Sequence, residues 1–429
     1  MHGHETPGTA DPAQAPDALR PPPGNPRFPL VDGLRAVAAL MVLIGHTSFI
    51  SGFNGHGQLG RVISRFDMGV ALFFIISGFL LYRPFVAARL EGRPAPGILR
   101  YGRRRALRIV PAYWLALTVL AIWPGLRGDV WGNFYVYYGF LQNLKVAWIG
   151  GGINTVWSLA CEMQFYIVLP FLAMGASRIL EGRSPKVQVR AELIGLAVLG
   201  AASFATRMWA YHRSSTYPNT VSWTIGGTFL WFALGMSLAV ISARFHHAGA
   251  ERPAALRALD RRPWLAWIAA AGLLAIVTRI GLPTTAPQVY TARDWLWEHL
   301  LYGLIAVAIA VPATVAISAP RSLPHRLLAW RPVAWLGLIS YGIFLWHHPL
   351  TEKFIGVQDW TAHGSFVIYT LVVFGVATTA ATLSYYLVER PILKFKDPRP
   401  RRRAPEPTAA DEAEASAPQA DRVELARAL

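Results

Sequence analysis

Charge is scarce in this chain and cysteine is nearly absent. Only 15% of the 429 residues are charged, against roughly a quarter in an average soluble protein, while 53% are hydrophobic before 37 glycines are counted. A water-soluble fold of this length needs more polar surface than 24 acids and 41 bases supply, whereas lipid demands apolar surface all round the bundle. A single cysteine, Cys161, excludes an intramolecular disulfide scaffold. There is no HExxH or comparable ligand spacing and no second cysteine for Cys161, so no metal site is expected. No internal repeat is evident, which disfavours transporter folds built from duplicated halves. No cleavable signal peptide is visible, because the first apolar run starts only near Leu30 and lacks a small-residue cleavage site.

What the chain does have is length of apolar run. Ten stretches of spanning or nearly spanning length lie at 30–50, 66–82, 106–124, 155–176, 191–210, 221–242, 264–282, 298–318, 333–350 and 364–388. Sixteen Trp and fifteen Tyr suit aromatic belts at the interfaces. The net charge of +17 invites a nucleic-acid reading, but the placement of the bases decides otherwise. With the N-terminus cytoplasmic, inner segments carry 31 Lys and Arg and outer loops 7. Insertion energetics keep positive charge inside, so both termini are expected in the cytoplasm and the basicity reports topology, with no nucleic-acid partner. The expected fold is all-α: a polytopic membrane protein of about ten transmembrane helices.

Two segments test this count. Residues 131–149 are aromatic and long enough to span, yet hold Asn133, Gln142, Asn143 and Lys145. Spanning there would invert every later loop against the charge rule, so the segment is expected to be re-entrant or interfacial. The span at 66–82 is short and is expected to end at Arg83-Pro84. Residues 1–27 and 396–429, rich in Pro and Ala with no apolar run, are expected to be disordered cytoplasmic tails.

Ionisable groups inside spans are costly and so are functional candidates. Arg35 and His46 lie eleven residues apart on the first span, which returns them to nearly one face, roughly 16 Å apart along the axis. The plainer alternatives are that Arg35 snorkels and His46 bonds a backbone carbonyl. Glu162 falls about two turns below the outer surface, at a depth close to that of His46, and is a natural partner for it. His347 and His348 lie toward the outer end of the ninth span. Adjacent helical side chains point about 100° apart, so one of the pair is expected to face the cavity and the other, His348, to be interfacial. Arg103, Arg104, Arg105 and Arg108 cluster at the start of the third span, where Arg105 and Arg108 at i, i+3 share a face. They could hold phosphates bidentately or serve only as a topology signal.

Six segments in order carry a resemblance: DGLRAVAALMVLIGH with Arg35 and His46, GVALFFIISGFLL, RALR with Arg105 and Arg108, WSLACEMQFY with Glu162, SYGIFLWHHPL with His347, and VERP with Glu389. Together they make the chain similar to the acyltransferase-3 family of integral-membrane acyltransferases over about 28–395. The resemblance implies a membrane acyltransferase domain at 28–395, in the plasma membrane, that transfers an acyl group, commonly acetyl, from acyl-CoA to a hydroxyl. The acceptor would be a carbohydrate, a lipid-linked glycan or a glycosylated metabolite. No permanently bound cofactor is implied; acetyl-CoA is a substrate. The chain resembles stand-alone members that lack an appended esterase-like domain. Two departures are His348 beside His347, and Cys161 beside the acid, which offers a labelling site.

The implied roles fit the residues. CoA phosphates would dock on Arg105 and Arg108, with Arg103 and Arg104 near them, and the pantetheine arm would pass Arg35 toward His46. His46 would be the general base, Glu162 would orient it or the acceptor, and Arg35 would steady the thioester or its oxyanion, with His347 in the same cavity. Direct transfer and an acyl-histidine intermediate both remain open. The competing class is a proton-coupled carrier or flippase using the same buried Arg, His and Glu.

Overall fold

Backbone N–H and C=O groups in hydrocarbon find no water, so apolar runs of this length satisfy them internally as helices. The computed structural model describes residues 29–213, 220–246, 251–284, 291–315, 322–356 and 365–396. The expected disordered tails lie, but for Lys396, outside the described residues.

The long helices are α1 (Pro29–Ile50), α3 (Gly69–Leu90), α4 (Ile98–Ile122), α6 (Trp157–Ile179), α7 (Pro185–Arg213), α8 (Ile225–His246), α10 (Trp264–Val277), α11 (Ala292–Thr314), α13 (Arg331–Gly356) and α14 (Phe366–Ser384). Short helices join them: α2 (Gly57–Ile63), α5 (Phe134–Tyr138), α9 (Ala254–Arg261), α12 (Leu323–Leu328) and α15 (Arg390–Leu393). Among the described residues the only strand-like pairing is an isolated bridge between Arg127 and Gly152. Each expected span coincides with one of these ten helices, and among the described residues eight helices are long and apolar enough to cross a membrane. The protein is a polytopic, all-α membrane protein.

Two expectations are refined and a third, that 131–149 does not span, is met. The span expected at 264–282 stops as a helix at Val277, so α10 has 14 residues and a length of about 21 Å, short of a hydrocarbon core of roughly 30 Å. The span expected to end at Pro84 runs on to Leu90; bundle neighbours make such an interior proline tolerable, and Arg83 Nε donates to Ser242 of α8 at 3.1 Å. Residues 131–149 form no spanning helix. They break into α5 and two 3-10 turns, Gln142–Leu144 and Val146–Trp148.

Helix α1 is the hub. It packs against α13, α3 and α14, while α3 packs on α8 and α11, and α4 and α6 close the side. Glycine sets the closest approaches: a Cβ on Gly337 of α13 would meet the Asp32 carbonyl oxygen of α1 at 1.8 Å, and one on Gly78 of α3 would meet that of Phe232 at 2.4 Å. Small residues let membrane helices touch backbone to backbone. The larger core gathers Leu72, Phe74, Phe79, Phe165 and Phe232, and a smaller one joins Ala39 and Leu43 of α1 to Ile339, Ile343 and Val373. That second core sits beneath the histidines and fixes α1 against α13.

Candidate active site

Three histidines meet where α1 and α13 lie side by side. His46 Nδ1 is 2.9 Å from His347 Nε2, the two rings stack at 5.2 Å between centroids, and His348 stands edge-on to His46 at 4.9 Å. His347 is fully buried, His348 is 7% exposed, and His46 is half-buried. The hydrogen-bond pattern assigns the tautomers. His347 Nδ1 faces the backbone carbonyls of Ile343 at 3.0 Å and Phe344 at 2.9 Å, which can only accept. Nδ1 therefore carries the hydrogen and Nε2 of a neutral His347 is an acceptor. His46 Nδ1–H donates to it, which leaves the lone pair of His46 on Nε2. A residue that fixes the tautomer of a neighbouring imidazole and accepts its far N–H is able to orient it for general-base chemistry.

The expected partnership of His46 with Glu162 is not the one the structure makes. Glu162 accepts a hydrogen bond from the Ser77 hydroxyl of α3 and lies in electrostatic reach of Tyr166 and Arg105. Phe73, one turn before Ser77, packs on Phe344 at 6.0 Å, and Phe344 on His347 at 5.9 Å. Glu162 thus sits below the histidines, toward the basic end. The expectation that only one of the adjacent histidines meets His46 is also corrected. His347 and His348 both pack on its ring, one flat and one edge-on, because a ring at the α1–α13 seam presents a face and an edge to neighbours about 100° apart.

At the basic end, Arg105 and Arg108 of α4 turn inward and lie in reach of Arg35. Arg35 pairs with Asp32 at 3.3 Å. Arg108 also faces Glu389, which is 3% exposed and held on a single π-helical turn, Tyr385–Glu389. Such turns re-aim side chains and recur at functional sites. Arg105 Nε is buried with no hydrogen-bond partner among the described residues. Arg104 is half-buried, and Arg103 is exposed. Arg35, expected to steady the acyl oxyanion, is three turns from His46 and belongs to the arginine group instead; roughly 16 Å of helix separates the two.

Several members were not read from the sequence. Ser77 is one hydroxyl in an apolar run, and Glu352 and Arg127, paired at 3.0 Å beside His348, belong to segments with no motif. Cys161, expected as a labelling site, is fully buried, its thiol donating to the Trp223 carbonyl. Among the described residues no three His, Cys, Asp or Glu side chains converge to hold a metal.

Residues 28–386 match the acyltransferase-3 family, described as an acyltransferase domain. The chain is 27% identical over 390 residues to YrhL of Bacillus subtilis, covering 85% of this chain and 55% of that protein. It is 26% identical over 386 residues to the peptidoglycan O-acetyltransferase OatA of Listeria monocytogenes, covering 85% and 56%. With the O-acetyltransferase OatA of Staphylococcus aureus the identity is 23% over 398 residues, covering 86% and 58%. The chain spans little more than half the length of these relatives. No solved structure matches it.

Proposed function

This chain belongs to the acyltransferase-3 family, and from that premise we propose that it is a plasma-membrane O-acyltransferase carrying acetyl from cytosolic acetyl-CoA to a carbohydrate hydroxyl. The observation that carries the proposal is the His46–His347 pair, whose hydrogen bonds leave the lone pair of His46 on Nε2. The relatives named as O-acetyltransferases support the reaction type, and OatA of Listeria, named for peptidoglycan, supports a carbohydrate acceptor.

In this reading Arg105, Arg108 and Arg35 hold the donor's phosphates at the cytosolic end, as bidentate cations do. Glu162 and Ser77 line the passage between. The pantetheine arm covers the roughly 16 Å of helix from Arg35 to His46. His46 Nε2 takes the proton of the acceptor hydroxyl as its oxygen bonds to the thioester carbonyl carbon, and the carbonyl pair moves onto oxygen. When that intermediate collapses the C–S bond breaks, and the departing thiolate takes the proton from His46. His347 accepts the Nδ1–H of His46 throughout and stabilises the transient imidazolium by a charge-assisted bond.

The test is thiol release from acetyl-CoA by purified protein with a carbohydrate acceptor, alongside binding of CoA. His46→Ala abolishes transfer and leaves CoA binding close to parental, whereas replacing Arg105 and Arg108 together by Ala weakens CoA binding, with Lys rescuing only in part. Parental transfer by a folded His46→Ala protein overturns the base assignment. Unchanged CoA binding in the double Ala variant reduces the arginines to a topology signal.

A further inference from the structure

A polar group beyond the general-base pair remains unused. His348 and Glu352 lie one turn apart on α13, with His348 Nδ1 3.9 Å from Glu352 Oε2. That gap is too wide for a hydrogen bond. His348 Nδ1 is buried and has no hydrogen-bond partner among the described residues, and the side chain is 9% exposed. A buried donor or acceptor left without a partner costs stability, and such atoms are rare enough to call for an explanation. Glu352 is held in place from the other side by Arg127 at 3.0 Å, and Arg127 is itself fixed by its backbone, whose carbonyl accepts from Gly152 N at 2.8 Å. The arginine side chain is 74% exposed, so the group opens toward the surface away from the cytosolic arginines. The His348 ring touches His46, with centroids 4.9 Å apart.

We infer that His348 and Glu352 form an acceptor subsite that binds a second hydroxyl next to the one acylated at His46, and so select a polyol over a simple alcohol. The inference rests on the acyltransferase reading above. An oxygen about 2.8 Å from each atom spans a 3.9 Å gap with an angle near 90° at that oxygen. A hydroxyl is the group that fits both sides, donating its O–H to the Glu352 carboxylate and accepting the Nδ1–H of His348. A carboxylate, an imidazole and a guanidinium in a row recognise a carbohydrate edge, where adjacent hydroxyls are each donor and acceptor. The acceptor then enters from the face opposite the donor, and its second hydroxyl sets which neighbour is presented to His46 Nε2.

The experiment uses the full chain in nanodiscs with acetyl-CoA and two probes, cyclohexanol and trans-1,2-cyclohexanediol, reading ester formation by mass spectrometry. The parental protein favours the diol by at least about tenfold in kcat/KM, the order expected when a buried hydrogen-bonding site is left unfilled by the mono-ol. Glu352→Gln and His348→Phe each bring the ratio of the two rates toward one, and His348→Asn, which keeps a donor near the Nδ1 position, retains part of the preference. A merely structural role lowers both rates together and leaves the ratio unmoved. A parental ratio near one, or a preference that survives in Glu352→Gln and His348→Phe, overturns the subsite while the acyltransferase reading stands. Absence of ester with both probes in the parental protein, each at the highest concentration at which the nanodiscs stay intact, together with no thiol release from acetyl-CoA with a carbohydrate acceptor, overturns that reading and the subsite with it.

Discussion

At the scale of single residues, the site is decided by which nitrogen holds which hydrogen. Two backbone carbonyls, of Ile343 and Phe344, fix His347, and His347 fixes His46. His347→Ala therefore leaves His46 free to rotate and to take either tautomer. The expected loss in kcat is about 10²–10³-fold, within the range attributed to a positioned general base, and combining it with His46→Ala adds little because the two act as a unit. Steady-state kinetics of the two single variants and the double variant measure this; multiplicative losses would separate the pair. Glu162 behaves differently, because its neighbours are Ser77, Tyr166 and Arg105. Glu162→Gln is expected to raise the KM for acetyl-CoA several-fold more than it lowers kcat, and its effect should multiply with that of His347→Ala, as for sites that share no partner. A kcat-only effect, non-additive with His347→Ala, would return Glu162 to the histidine cluster.

At the scale of elements, the His46–His347 pair depends on how closely α1 and α13 approach. No side chain larger than hydrogen fits at Gly337, where a Cβ would stand 1.8 Å from the Asp32 carbonyl oxygen. Gly337→Leu must push the helices apart near their basic ends and shift His347 relative to His46. Its expected signature is at least about a tenfold loss of transfer together with a lower melting temperature, since overpacking alone costs about 1–3 kcal/mol. Gly375 of α14 is the control, because a Cβ there meets nothing within 4 Å; Gly375→Ala should change neither quantity measurably. Equal behaviour of the two variants would show that the α1–α13 contact does not set the site.

At the scale of the whole molecule, orientation follows from charge and burial from lipid. Ile167, Phe171, Val198, Leu371 and Leu387 are each more than 60% exposed, a display that water would penalise and hydrocarbon accepts. The distribution of Lys and Arg predicts that the start of α1 and the end of α14 lie in the cytoplasm. A reporter fused after Lys396 should accordingly read as cytoplasmic, and Lys353→Cys should react with an impermeant thiol reagent added to intact cells. The buried thiol of Cys161 keeps the background low. Reaction at position 353 only after cells are opened would invert the topology.

The sequence by itself determined the approximate place of the long helices and the membrane as solvent, because apolar length and positive charge act locally and are written residue by residue. Charge alone also argued against a span at 131–149, and the structure breaks that segment into α5 and two 3-10 turns. The sequence could not say where α10 stops or that α3 continues past Pro84, since bundle neighbours decide whether a short or proline-bearing helix is tolerated. Least of all could it choose partners. Helical spacing put His46 and Glu162 at similar depth, but depth is one coordinate of three. The glycine contact between α1 and α13 brought His347 to His46 instead, and the packing of α3 on α6 took Glu162 to Ser77 and toward Arg105. The pairing of Arg127 with Glu352 joins residues 225 positions apart in the sequence through one loop and one helix. Only closure of the tertiary structure makes such contacts, because rotation about each helix axis is fixed by its neighbours and not by its own sequence.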